Sequence, residues 1–332
     1  MKIIKTLSAA FLACLLLVVA SCSNDDSVTL VLEEETVGND PDDSSSMDIR
    51  EPIDLSIFSY ETEITDPEML NAIDFALSQW ENYIDSDIPI RVSIRLVPNL
   101  PAFGQSIPNV VQNFANAPVN DVWYPTALAN HLAGNRLNNE EFDMDIWLNP
   151  EDFWSYEIDG NIPEDQLDFV ALFMHEVCHS LGFVSSAKVE EDRGSFGLVT
   201  PDDFVTTLSF PITDLEGKPL IFSTLLSYDR NGWPLLDGNK FPNDSNALFQ
   251  AFESDGIFLN KPLNHGAYDF PKIFAEDPFL FGSSLSHLDE KTYPQGSGNA
   301  LMTPFIEIEG NIEREPGPIV LSVLKEIGWS IK

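Results

Sequence analysis

The sequence is poor in cysteine, in basic residues and in long apolar runs. Cys14 and Cys22 fall within the first 22 of its 332 residues, and only Cys178 remains beyond them. An intrachain disulfide is therefore excluded from the rest of the chain, whose fold must rest on its core, with metal as a further support. Seventeen Lys+Arg face 54 Asp+Glu, for a formal net charge of −37. Nucleic acid is thereby excluded as a partner, because phosphates need basic side chains to neutralise them. Polybasic attachment to anionic lipid is excluded on the same ground. Beyond the N-terminus no apolar run approaches the ~20 residues of a bilayer span. Hydrophobic residues still make up 43%, which is normal for a globular protein and too high for a mostly disordered one.

The charge divides the chain into three regions. Residues 1–21 carry only Lys2 and Lys5, for +2. Residues 22–50 carry nine acids against Arg50, for −8. Residues 51–332 carry 14 bases and 45 acids, for −31. Lys2 and Lys5 precede the apolar run Leu7–Ala20, broken only by Ser8, which reads as an export signal. The ending Val18-Val19-Ala20-Ser21-Cys22 resembles a bacterial lipobox. That resemblance implies cleavage before Cys22, diacylation of its thiol and a lipid-anchored place in the cell envelope, facing either the periplasm or the exterior. Ser23 to Asp48 is polar and acidic without periodicity, as expected of a flexible, self-repelling tether. Its first acids resemble surface-export signals of Bacteroidetes-type lipoproteins, which favours an outer-membrane location.

From residue 51 the pattern is globular. Ile53, Leu55 and Ile57 alternate as in a strand. Asp66-Pro67 marks a helix start, and Leu70, Ile73, Leu77, Trp80 and Ile84 carry the helix to residue 84. Ile90, Val92, Ile94 and Leu96 predict a second strand, and Phe142, Met144, Ile146 and Leu148 a third. A second helix is expected from Pro163 to Leu181, with Leu167, Val170, Met174, Cys178 and Leu181 as its core stripe. The last helix runs from near Pro316 to Gly328, on Val320, Leu321, Leu324 and Ile327.

The chemistry lies on the second helix, in His175-Glu176-Val177-Cys178-His179. His175 and His179 stand ~40° apart around the axis and one turn apart along it, so both imidazoles can reach one metal ion. Glu176 is displaced by ~100° and flanks that pair. A hydrolytic zinc site needs this arrangement: two ligands, a third from elsewhere, an open position for water and a carboxylate to take the water's proton. Cys178 falls on the core stripe and reads as a packed residue. The remaining histidines outside this motif are His131, His265 and His287.

The motif continues to Gly182-Phe183. HExxHxxG resembles the metzincin metallopeptidases, whose third histidine follows three residues after the glycine. Here Ser185 holds that place. The segments Gly282–Asp289 (GSSLSHLD), Leu301–Pro304 (LMTP), and Pro316-Gly317-Pro318 to Gly328-Trp329 resemble a group of bacterial secreted metallopeptidases with a leishmanolysin-like long insertion. The likeness covers most of residues 120–330. It implies an α+β zincin fold, with a twisted mixed sheet, backing helix and active-site helix. It also implies Zn²⁺ on His175, His179 and His287, Glu176 as catalytic base, and Met302 in a Met-turn beneath the metal. His265 is the rival third ligand. Glu190 and Glu191 are weaker rivals, and His131 reads as surface or outer-shell. By the same resemblance, substrate lies against the 142–148 strand.

The expected division is a signal over 1–21, a tether over 22–50 and a metallopeptidase domain over 51–332. Within that domain residues 51–183 form an upper part, 184–286 a loop-rich insertion and 287–332 the third-ligand segment, Met-turn and final helix. Asp229-Arg230-Asn231-Gly232 predicts a hairpin in the insertion. That insertion either shapes substrate access or covers the lower core. Asp143, Asp145, Asn149, Asp152, Asp159, Asn161 and Asp165 offer hard oxygen ligands for Ca²⁺, although solvated acidic loops are the simpler reading. The expected function is that of a monomeric, zinc-dependent endopeptidase acting on extracellular or periplasmic proteins, with a preference for non-acidic substrates. The alternative is a catalytically silent surface lipoprotein that binds glycans or host proteins.

Overall fold

A computed structural model describes residues 55–137, 142–151, 153–200, 203, 214–230, 232–260, 269–305 and 313–332. The signal, the tether, Cys22, His265 and Asp152 lie outside the described residues. Among the described residues, the architecture is α+β: a four-stranded mixed sheet packed against helices, several small sheets and a C-terminal helix.

Strand β1 (Phe58–Thr62) pairs in parallel with β2 (Ile90–Leu96), Phe58 opposite Ile90. Between them runs helix α1 (Pro67–Glu81). The Asp66 carboxylate accepts from the backbone N–H of Glu68 and Met69, at 2.9 and 3.4 Å. A cap of this kind contributes about 1 kcal/mol. Met69, Ile73, Leu77 and Trp80 form the buried face. Strand β3 (Gly104–Pro108) and helix α2 (Thr126–Ala133) precede β4 (Met144–Leu148). The sheet order is β1-β2-β4-β3, with β3 antiparallel to β4 at the edge.

Helix α3 (Phe169–Leu181) packs on β3 and β4 and meets α1, where the Trp80 indole N–H donates to the Met174 carbonyl at 3.1 Å. Every residue of α3 except His175 is buried. A helix buried on nearly every side belongs inside a core. Helix α4 (Asn246–Phe252) belongs to the long insertion, and α5 (Gly317–Ile327) closes the fold. Ser330–Ile331 then pairs with Ile84–Asp85, and the Trp329 indole donates to the Leu181 carbonyl at 2.8 Å. The far end of α3 is thus tied to the C-terminal segment. No helix of the described residues is long and apolar enough to cross a membrane.

Several boundaries differ from expectation. Among the described residues the first strand begins at Phe58, after Leu55 and Ile57, while Ile53 lies outside them: the N–H groups of Ser56, Ile57 and Phe58 are gathered by the Glu81 carboxylate at the end of α1. Helix α1 stops at Glu81 because Ile84–Asp85 is taken by Ser330–Ile331. Helix α3 starts at Phe169, not Pro163. Leu167–Asp168 is drawn into parallel pairing with Trp154–Ser155, and Asp168 caps the helix by accepting from Ala171 N–H at 3.1 Å. The 142–148 strand is not available to substrate, because β4 is paired on both sides and β3 holds the edge.

Described residues of the insertion join the main core. Phe196, Phe222, Leu226, Leu235, Phe241 and Phe252 belong to the same buried cluster as α1, α3 and the sheet. The predicted hairpin forms, with Tyr228 opposite Trp233.

Candidate metal centre

The helical spacing of His175 and His179 brings their Nε2 atoms to 3.0 Å. His287 reaches them from a segment held on two sides. Phe274 N–H donates to the His287 carbonyl at 2.9 Å, and Leu288 N–H donates to the Met302 carbonyl at 2.7 Å. The His287 Nε2 atom lies 3.1 Å from that of His175 and 3.2 Å from that of His179. The three nitrogens form a nearly equilateral triangle. Among the described residues this is the one cluster of three or more His, Cys, Asp or Glu whose ligand atoms converge.

Each ring is oriented from behind by a carbonyl. His175 Nδ1 lies 2.7 Å from the Leu301 carbonyl, His179 Nδ1 2.8 Å from that of Phe183, and His287 Nδ1 2.8 Å from that of Ser283. A carbonyl only accepts, so each Nδ1 carries the proton and each Nε2 presents a lone pair. Three lone pairs at this separation repel unless a cation lies between them. Tetrahedral zinc with Zn–N bonds of about 2.0–2.1 Å sets its nitrogens about 3.3 Å apart, close to the observed triangle. The donor set therefore fits a metal ion such as Zn²⁺.

Burial acts in the same direction. It pushes His175 down to about 4 and His287 to about 3, and it holds His179 well below the ordinary histidine range. The neighbouring histidines add to the lowering at His179 and His287. All three are neutral at pH 7, the form that binds metal. Beside them, Glu176 is buried, and desolvation pushes its carboxyl up to about 8.

Residues without a conspicuous sequence signal complete the surroundings. Gly104, on edge strand β3, lies against Glu176: a Cβ there would stand 2.9 Å from Glu176 Cγ and 2.9 Å from Oε1. Nothing in the local sequence marks this glycine. The Ser283 and Phe183 carbonyls lie four residues from the histidines they orient, a spacing visible in retrospect. Gly182 ends α3 with φ 124°, and a Cβ there would stand 2.6 Å from Ile327 Cδ1. The chain then turns so that Ser185, at the short-motif ligand position, donates its N–H to Ser286 Oγ at 3.1 Å. Ser185 therefore abuts the segment that bears His287.

Met302 is fully buried in the short 3₁₀ turn Ala300–Met302. Cys178 is free and buried, as its place on the core stripe predicts. His131 stacks on Trp329 at 5.1 Å between ring centres, away from the triad. Among the described residues, the acidic side chains offered for calcium do not converge in a shared site. Asp143 accepts from Arg136, Asn130 and the Arg91 N–H, while Asp159 bonds Asn161. The chain matches no family model, no curated protein and no solved structure.

Proposed function

We propose that this chain is a zinc-dependent endopeptidase of metzincin-like design, with His175, His179 and His287 as metal ligands and Glu176 as general base. The observation that carries the reading is the convergence of three carbonyl-oriented Nε2 lone pairs beside a buried carboxylate. Binding alone needs the histidines but not the acid.

Zinc held there would supply Lewis acidity, drawing the pKa of a bound water towards ~7 and polarising a peptide carbonyl. The Nδ1–H bonds to Leu301, Phe183 and Ser283 fix the rings and raise the basicity of the Nε2 atoms. Glu176 takes a proton from water on a carboxylate oxygen and passes it to the departing amine. Burial raises its pKa to about 8, and a neighbouring positive charge opposes that rise. Gly104 lets edge strand β3 approach Glu176, so an extended peptide added to β3 would pass beside the base. Export by the N-terminal signal and anchoring through Cys22 complete the proposal, with proteins or peptides of the envelope or exterior as substrates.

The test is cleavage of a broad peptide library by the purified protein, read by mass spectrometry. Cleavage that chelator and Glu176→Gln both abolish supports the reading. Stoichiometric zinc with no cleavage in any peptide would instead favour a silent binding protein.

A further inference from the structure

Glu313 and Arg314 are adjacent and oppositely charged, and their side chains reach two different parts of the three-histidine site. Glu313 accepts from the backbone N–H of Gly298 on one oxygen and of Ala300 on the other, both at 2.6 Å. Those amides lead directly into the turn whose Leu301 carbonyl orients His175 and whose Met302 carbonyl holds Leu288, next to His287. Arg314 forks onto Asp168, with Nε to Oδ2 at 2.7 Å and Nη2 to Oδ1 at 3.0 Å. Its remaining donors reach the carbonyls of Ile158 at 3.0 Å and Glu157 at 2.6 Å. Asp168 is 1% exposed and caps α3, the helix that carries His175 and His179.

We propose that Glu313 and Arg314 are positioning residues, a two-residue clamp that sets the third-histidine segment in register with the metal-binding helix. This rests on the zinc reading above. The backbone leaves little slack around the clamp. Gly317 has φ 69°, and a Cβ there would stand 2.2 Å from the Gly298 carbonyl. The Ile319 N–H donates to Asn299 Oδ1 at 3.1 Å. The 298–302 turn is therefore pinned from one side by the start of α5 and from the other by the Glu313 carboxylate. Without that carboxylate, water can solvate the part-exposed amides, but it cannot fix the Leu301 carbonyl behind His175. Outer-shell partners of this kind typically change metal affinity by about 10–100-fold. Arg314 acts on the other half. Its planar fork matches the Asp168 carboxylate in a way an ammonium does not.

The test is titration of the metal-free full chain with Co²⁺ against a chromophoric chelator, reading both the dissociation constant and the visible d–d bands. Glu313→Ala is expected to bind Co²⁺ 10–100-fold more weakly, with altered bands. Glu313→Gln, which keeps an acceptor oxygen, should recover part of the loss. Arg314→Lys is expected to weaken binding in the same direction, whereas Lys291→Ala, an exposed control, leaves both readouts unchanged. Folded Glu313→Ala and Arg314→Lys proteins with wild-type affinity and bands would overturn the clamp while leaving the zinc reading intact. Failure of the wild-type protein to take up Co²⁺ would overturn the zinc reading itself, and the clamp with it.

Discussion

Replacing Gly104 with alanine tests the proposed base, Glu176, apart from the proposed metal ligands. The added methyl would sit 2.9 Å from Glu176 Cγ, 2.9 Å from Oε1 and 3.1 Å from Cδ. Carbon contacts relax to about 3.5–4.0 Å, so the carboxylate must retreat by roughly 0.6–1.1 Å. Glu176 is only 5% exposed, so that movement displaces it from its present place rather than swinging it into solvent. The three heavy atoms nearest the new methyl all belong to Glu176, so the first strain falls on that side chain. The backbone itself gains, since alanine in a strand is favoured over glycine by roughly 0.5–1 kcal/mol. Misplacing a catalytic group by about 1 Å costs on the order of 10²-fold, or about 2.7 kcal/mol of barrier. Gly104→Ala is therefore expected to keep zinc stoichiometry and thermal stability while kcat/KM on a cleaved peptide falls about a hundredfold. Undiminished kcat/KM would refute the placement of Glu176 as base. Loss of zinc together with activity would show that Gly104 supports the helix rather than clearing space for the carboxylate.

Glu176→Gln keeps the shape of the side chain and removes its basicity. It should retain one zinc per chain by elemental analysis and lose peptide cleavage. His287→Ala removes one corner of the triangle and should weaken zinc binding severely in a competition titration; His131→Ala should not, because its ring is occupied by Trp329 and Ser330. Metal-free protein should be most stable near about pH 6.5. The folded-state pKa of His175 is lowered from 6.5 to about 4, so its contribution, on the order of 3 kcal/mol, is present above 6.5 and lost as pH falls towards 4. His179 and His287 act in the same sense. Glu176, raised from 4.5 to about 8, opposes them and loses stability as pH rises towards 8. Denaturant midpoints measured in chelator check this, and a steady rise from pH 6 to 8 would contradict it. Trp329→Phe removes the indole bond to the Leu181 carbonyl and should cost about 1 kcal/mol in urea unfolding, with zinc affinity retained.

Legibility followed range. The Asp66 cap, the 90–96 strand and the strand pairing around 229–232 depend on neighbours a few residues apart, and they form where the pattern placed them, whereas α1 ends at Glu81, short of Ile84. The start of α3 was not legible. Pro163-Glu164-Asp165 carries helix-start chemistry, but Leu167–Asp168 pairs with Trp154–Ser155 and the helix follows it. The edge of the sheet was not legible either. β3 contains glycine, serine and proline in place of a clear apolar alternation, and its half-buried positions give no period to read.

What the sequence by itself determined is the pair His175 and His179 with Glu176 beside them, because helical geometry sets those relations over a single turn. It also marked His287 through the pattern around it, without locating it in space. Tertiary structure alone decided that His287 Nε2 arrives 3.1 Å from His175 across 112 residues, that Leu301 orients His175 across 126, and that Gly104 abuts Glu176. A turn of helix is dictated by covalent geometry and local hydrogen bonds. Contacts across a hundred residues are dictated by how the whole core packs, to which the insertion contributes Phe196, Phe222, Phe241 and Phe252.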